Sequence, residues 1–178
     1  LVSDAGTIKR IDYSLIKGGG ITEADEWRVT ATISSISNGS DYDITSNWER
    51  NDTDFDKIGT GMSESSGIFT FASTGIYLIN FTLGVYLQSQ STENHFKTMI
   101  FTTTDGSSYT KRTQSTQGMG DFGTFDYAFG YTSLIFDVTN VSTHKVKFAT
   151  YFDERTGNVE GNTNSNRTSV QFIRLGDT

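Results

Sequence analysis

The sequence predicts an all-β fold: an antiparallel jelly-roll sandwich of about eight to ten strands behind a short extended N-terminal arm. Three observations carry this. Apolar residues recur with a period of two, most clearly where Tyr77, Ile79, Phe81, Leu83, Val85 and Leu87 alternate with Ile76, Leu78, Asn80, Thr82, Gly84 and Tyr86. Successive side chains of a strand point to opposite faces, so this stretch has one wholly apolar face. Turn signals recur at intervals of about 8–12 residues. No stretch shows the i, i+3, i+4, i+7 apolar spacing of an amphipathic helix.

Residues Leu1 to Asp25 read as an arm or linker, with scattered isoleucines and a flexible Gly18-Gly19-Gly20 joint, and the domain proper spans 26–178. Trp27 to Ser35 predicts the first strand, with Trp27, Val29, Ala31 and Ile33 on one face. Ser37 to Asp43 is a turn cluster. Ile44 to Met62 is irregular around Trp48, Phe55 and Ile58. Phe69 and Phe71 alternate around Thr70, and Ser73-Thr74-Gly75 separates them from the long strand. Phe96 to Thr104 and Tyr109 to Thr116 predict a hairpin with its turn at Asp105-Gly106, and Gly118 to Gly123 a loop. Phe125, Tyr127, Phe129 and Tyr131 alternate, and Leu134, Phe136 and Val138 follow after a change of phase near Thr132-Ser133. Lys145 to Phe152 and Thr168 to Leu175 predict the last strands, with the polar stretch Glu154 to Asn166 as a loop between them. The final strand belongs inside a sheet.

Composition narrows the function. The 178 residues suffice for one sizeable β domain. Hydrophobic residues are only 34%, but aromatics are 13%, so rings carry much of the burial. Cysteine is absent, which removes disulfides, thiolate metal sites and a cysteine nucleophile. The net charge of −7 repels phosphate backbones and argues against nucleic acid. No apolar run of about 20 residues predicts a membrane insertion.

Several segments together resemble a known family. Phe55-Asp56-Lys57-Ile58-Gly59-Thr60-Gly61-Met62 resembles its Thr-Gly–Phe segment. Gly67-Ile68-Phe69-Thr70-Phe71-Ala72-Ser73-Thr74-Gly75-Ile76-Tyr77-Leu78-Ile79 resembles its Gly-x-Phe-x-x-Pro-x-x-Gly-x-Tyr-x-Phe signature, here without the proline. Met99 to Tyr109 resembles its central hairpin. Ser169-Val170-Gln171-Phe172-Ile173 resembles its closing strand, with Gln171 where glycine is usual. The chain thus resembles the globular head of complement subcomponent q and its tumour necrosis factor relatives, over roughly Trp27 to Leu175. The resemblance implies a trimeric ten-stranded jelly roll whose subunits pack through apolar strand faces.

Phe122, Phe125, Tyr127, Phe129 and Tyr131, with Tyr86, are the candidates for that interface, and Phe101 and Tyr151 are further spare aromatics. Core, intersubunit contact and ligand platform are the three readings of this cluster, with core the ordinary one. Tyr42, Trp48, Gln117, Asp121, Arg155 and Asn162 are the ligand-loop candidates, because loops on a rigid β scaffold carry binding. Asp52, Asp54 and Asp56 have the spacing of a hard-cation site, but Lys57 and Ser63 stand where a calcium loop needs glycine and glutamate. A solvated acidic turn is the ordinary reading, and no cofactor is expected beyond this calcium candidate. The two histidines, His95 and His144, read as surface residues near strand ends. With no base beside a nucleophile, no catalytic residue and no enzyme are expected.

The expectation is a non-enzymatic virion structural and recognition protein. Its leading form is the trimeric, receptor-binding distal domain of a phage tail or head fibre, contacting other virion proteins and a host surface glycan or protein. The alternatives are a capsid decoration protein and a secreted lectin-like or cytokine-like domain. Each places the chain at a virion surface or outside a cell.

Overall fold

The computed structural model describes residues 2–4, 7–9, 20–51, 55–87, 93–120 and 125–178. The described residues contain no helix, hence none long and apolar enough to cross a membrane. The strands are β1 (Val2–Asp4), β2 (Thr7–Lys9), β3 (Ala24–Val29), β4 (Ile33–Ile36), β5 (Tyr42–Asp43), β6 (Trp48–Arg50), β7 (Lys57–Ile58), β8 (Ser63–Ser65), β9 (Ile68–Thr70), β10 (Gly75–Leu87), β11 (Glu93–Thr103), β12 (Thr110–Met119), β13 (Asp126–Val138), β14 (Lys145–Phe152), β15 (Gly157–Val159) and β16 (Ser169–Gly176). β1 and β2 pair with each other, and the rest form two antiparallel sheets packed as a sandwich.

β10 is the hub of the first sheet. β13 pairs along its whole length on one edge, and β16 and β15 share the other. β3 follows β16 and carries β6 and β7, while β4 follows β15. The second sheet runs β12-β11-β14-β9-β8, with β5 beside β14. The final strand therefore lies inside a sheet, as its alternation predicts.

The alternation of β10 becomes the core. Tyr77, Ile79, Phe81, Leu83, Val85 and Leu87 are all buried and meet Phe96, Ile100, Val146, Phe148 and Phe152 from the second sheet. Rings interlock across the gap, with Phe81 and Phe148 at 4.9 Å and Phe148 and Phe172 at 6.0 Å between centroids. Edge-to-face and tilted pairs of this kind add to area burial. Gly75, at φ +146, lets the chain enter β10, since a Cβ there would meet the Arg174 side chain and the Gly176 carbonyl.

The fold corrects several expectations. The first strand does not run from Trp27 to Ser35. It breaks at Thr30, whose N–H and hydroxyl both donate to the Asn47 carbonyl, while the Asn47 amide donates to the Ala31 carbonyl. Ala31 is exposed, and the chain re-enters the sheet as β4. The Asp105-Gly106 turn is wider than a two-residue hairpin. The Asp105 carboxylate accepts the N–H groups of Ser107 and Ser108 and the Thr103 hydroxyl, and the Ser108 and Ser107 donors hold it well below the usual carboxylate range. The stretch Glu154 to Asn166 is not all loop, because buried β15 lies within it.

The change of phase near Thr132-Ser133 does not interrupt β13, whose register with β10 is unbroken from Asp126 to Val138. The apolar residues change sides, but the strand does not. His144 is buried, stacked on Phe136 at 5.6 Å, with its ring nitrogens 3.2 and 3.1 Å from the Thr139 and Thr143 hydroxyls.

Candidate functional site

A sheet has two faces, and the one turned away from the core decides what the molecule can touch. On the outer face of the first sheet, register sets Tyr127 opposite Tyr86, Phe129 opposite Gly84, Tyr131 opposite Thr82 and Ile135 opposite Leu78. Phe125, Tyr127, Phe129, Tyr131 and Ile135 are each between 46% and 64% exposed, which removes them from the core. Their inward neighbours Ala128, Gly130 and Thr132 are small because the second sheet approaches closely. A Cβ on Gly130 would strike Thr98 Oγ1, Gln117 Oε1 and the Phe96 ring, and Thr113 and Thr132 hydroxyls meet at 2.8 Å. The large side chains of this half-strand face outward for want of room inside.

The rings form a row. Tyr86 and Tyr127 lie 5.4 Å apart, and Phe125 reaches both at 6.2 and 6.3 Å. An exposed apolar row of this kind is a mark of an interaction surface.

A line of polar side chains crosses the same face. Tyr131 on β13 donates its hydroxyl to Asn80 Oδ1 on β10 at 2.9 Å, and Asn80 Nδ2 donates to Gln171 Oε1 on β16 at 3.5 Å. Gln171 Nε2 donates to Glu26 Oε2 on β3 at 2.6 Å. Glu26 Oε1 also accepts the amides of Asn51 at 2.7 Å and Asn166 at 2.6 Å. Burial raises the Glu26 carboxyl, but the donors Gln171, Asn51 and Asn166, with the Arg28 charge, outweigh it and hold it below its ordinary value. Glu26 is therefore the charged end of a ladder in which every amide has one orientation. Beside it, Asp25 is buried and structural. It accepts Arg50 Nε at 2.9 Å, Trp27 Nε1 at 2.9 Å and the Met62 N–H at 2.6 Å.

The predicted residues distribute unevenly. Phe125, Tyr127, Phe129, Tyr131 and Tyr86 come together on this face, while Phe122 lies outside the described residues. Phe101 and Tyr151 stand on the outer face of the other sheet, where Lys147 lies 5.3 Å from the Phe101 centroid and Lys97 4.1 Å from that of Tyr151.

Of the loop candidates, Trp48 is packed 5.3 Å from Phe69 with its indole N–H on the Ile44 carbonyl, and Tyr42 sits on β5 against the core. Both rings are half-buried against the core, because an indole or phenol ring beside the core gains more from burial than from solvent. Gln117 lies within β12 paired with Phe96, not in a loop, because β12 continues to Met119. Arg155 is exposed, and Asn162 donates its N–H to the Val29 carbonyl at 2.8 Å. Asp121 lies outside the described residues, as do Asp52 and Asp54. Asp56 is exposed at φ 61 in a turn closed by its N–H on the Asn51 carbonyl. Among the described residues no group of His, Asp or Glu gathers to hold a metal.

Sequence reasoning missed Asn80, Gln171 and Glu26 as members of one constellation. The departure at Gln171 was the available signal: a long polar side chain at an outward position of a central strand.

No protein-family model matches the chain, and no curated protein matches it in sequence. Solved structures do match in shape. Murine APRIL aligns with a TM-score of 0.60 at 12% identity, over 86% of this chain and 98% of that one. The vertex protein P5 of PRD1 aligns with a TM-score of 0.55 at 16% identity, over 89% of this chain and 100% of that one. Eiger TNF from S. frugiperda aligns with a TM-score of 0.56 at 10% identity, over 89% and 96%. The two-sheet architecture built around β10, together with these full-length likenesses, makes this chain a tumour necrosis factor-like jelly roll in fold.

Proposed function

We propose that this chain is a homotrimeric, non-enzymatic structural and recognition module on the surface of a virus particle, with residues 1–25 as the arm that connects it. The observation that carries the trimer is the uncovered row Phe125, Tyr127, Phe129 and Tyr131 on the outer face of the first sheet. Burying such rings stabilises association by roughly 1.5–3 kcal/mol each. The likeness to the PRD1 vertex protein supports the virion setting, and exposed loops such as that of Arg155 supply the surface for a host glycan or protein. The reading assigns the chain no catalysis, no cofactor, no nucleic acid and no membrane insertion. Light scattering near neutral pH is expected to give the mass of three subunits, and a monomer overturns it. A glycan array and proteomics of purified virions then test the recognition role and the setting.

The likeness to murine APRIL and Eiger favours a second reading, a secreted cytokine-like domain. Absence from virions together with saturable binding to a cell-surface protein supports that reading over the first.

A further inference from the structure

The aromatic face is not flat. Between β3 and β16, beyond β10 from the aromatic row, lies a groove of about 210 Å³ formed by Ala24, Ile173, Phe55, Glu26 and Gln171. It is too small for an ordinary small-molecule site, which occupies roughly 300–1,000 Å³. A dry cavity of about 150 Å³ accepts a benzene molecule, so this groove has the size of one aromatic ring. Its chemistry suits a ring as well. Ala24, Phe55 and Ile173 are apolar, and the Glu26 carboxylate on the rim meets the positive edge of a π-system favourably.

At the far edge of the same face stands a ring of the right kind. Tyr127 is packed on Tyr86, and Tyr131 is tied to Asn80. Phe129 has no ring neighbour among the described residues and is 56% exposed, standing over Gly84. We propose that the groove receives the Phe129 ring of a second copy of this chain. The contact joins two different patches, so it is heterologous, and it yields a closed ring when the rotation per copy closes. The inference rests on the trimer reading and adds to it the pair of surfaces that meet.

Intrachain contact between the two patches is impossible. Phe129 pairs with Gly84 and Ile173 with Leu78, six positions apart along β10 (84 − 78), or about 20 Å. A disulfide needs Cα atoms within about 7 Å. The chain has no cysteine, so introduced thiols report without background.

The test uses the full chain. F129C and I173C are mixed and oxidised, and the double variant F129C/I173C is oxidised alone. The mixture is expected to give a covalent 129–173 dimer, and the double variant a ladder ending at three subunits. In parallel, p-benzoylphenylalanine at position 129, which keeps a ring there, is expected to photocross-link to peptides holding Ala24, Phe55 or Ile173. A three-subunit mass with cross-links from 129 only to other places, including 129–129, overturns the groove assignment and leaves the trimer standing. A monomeric mass for the unsubstituted chain overturns both.

Discussion

The two outer faces of the sandwich use the same material differently. On the second sheet's outer side Phe101, Tyr109 and Tyr151 are half-buried, and each lies beneath a lysine. Lys97 sits 4.1 Å from the Tyr151 centroid, and Lys147 4.9 Å from Tyr109 and 5.3 Å from Phe101. Lys147 is itself held by Asp43 at 2.6 Å and Lys111 by Asp41 at 3.0 Å. Lysine stems cover apolar surface while their ammonium groups stay hydrated, so that face is finished against water. On the first sheet no lysine covers Phe125, Tyr127, Phe129 or Tyr131 among the described residues. Exposed rings alone say little; rings left bare on one face and capped on the other say which face awaits a partner.

The contrast breaks most sharply on matched substitutions. Phe129→Ser is expected to shift the subunit equilibrium by roughly 10- to 100-fold per interface, since about 1.5–3 kcal/mol of burial is lost at each, while the melting of the separated subunit changes little. Phe101→Ser on the other face is expected to leave the mass unchanged. Sedimentation equilibrium on both variants decides it: equal effects, or unfolding by Phe129→Ser, erase the distinction. One residue further along β13 the target of the effect changes from assembly to the fold. Gly130 faces inward against Thr98, Gln117 and Phe96. Gly130→Ala is expected to cost about 1–3 kcal/mol of fold stability by overpacking, read by denaturant unfolding, with no specific effect on assembly.

How much of this was legible follows from what periodicity encodes. The inward face of β10 was readable because all six of its alternate residues are large and apolar, and the structure buries every one. In β13 the same rule names the residues that share a face but not which face is wet. The aromatic run Phe125 to Tyr131 looks like core, yet the inside of that half-strand is Ala128, Gly130 and Thr132, set by how near the second sheet lies. The ladder from Tyr131 to Glu26 was illegible because it depends on cross-strand register among residues 26, 80, 131 and 171. Trp48 and Tyr42 looked like loop residues because β5 and β6 are too short to show any alternation.

The ladder runs from the aromatic row at Tyr131 to the groove at Gln171 and Glu26, and acid tests whether it holds them in place. The Glu26 carboxyl is lowered from its ordinary value of 4.5 on folding. A lowered acid adds stability that is complete above the unfolded value and is lost as pH falls through the folded one. Glu26→Gln is therefore expected to cost stability at pH 7, and to flatten the acid limb below pH 4.5 relative to the parent chain. Thermal melts of both from pH 7 down to 3 check it, and parallel curves would remove Glu26 from the account of the face.

The smallest expected effect tests the capped face directly. Lys97 contacts the Tyr151 ring and forms no salt bridge among the described residues, so its truncation isolates the lid from any ion pair. A cation over an exposed ring is worth roughly 0.5–1 kcal/mol. Lys97→Ala is expected to lower stability by no more than that, and its larger consequence is on solubility. With the stem gone, Tyr151 becomes a bare ring on this face, while Phe101 stays beneath Lys147 and Lys111. Light scattering at rising concentration is then expected to show association beyond three subunits that the parent chain lacks. If the variant stays at the parent mass, bare rings are not enough to recruit a partner on this scaffold. The selectivity of the first face would then reside in the groove and the ladder rather than in the exposed rings themselves.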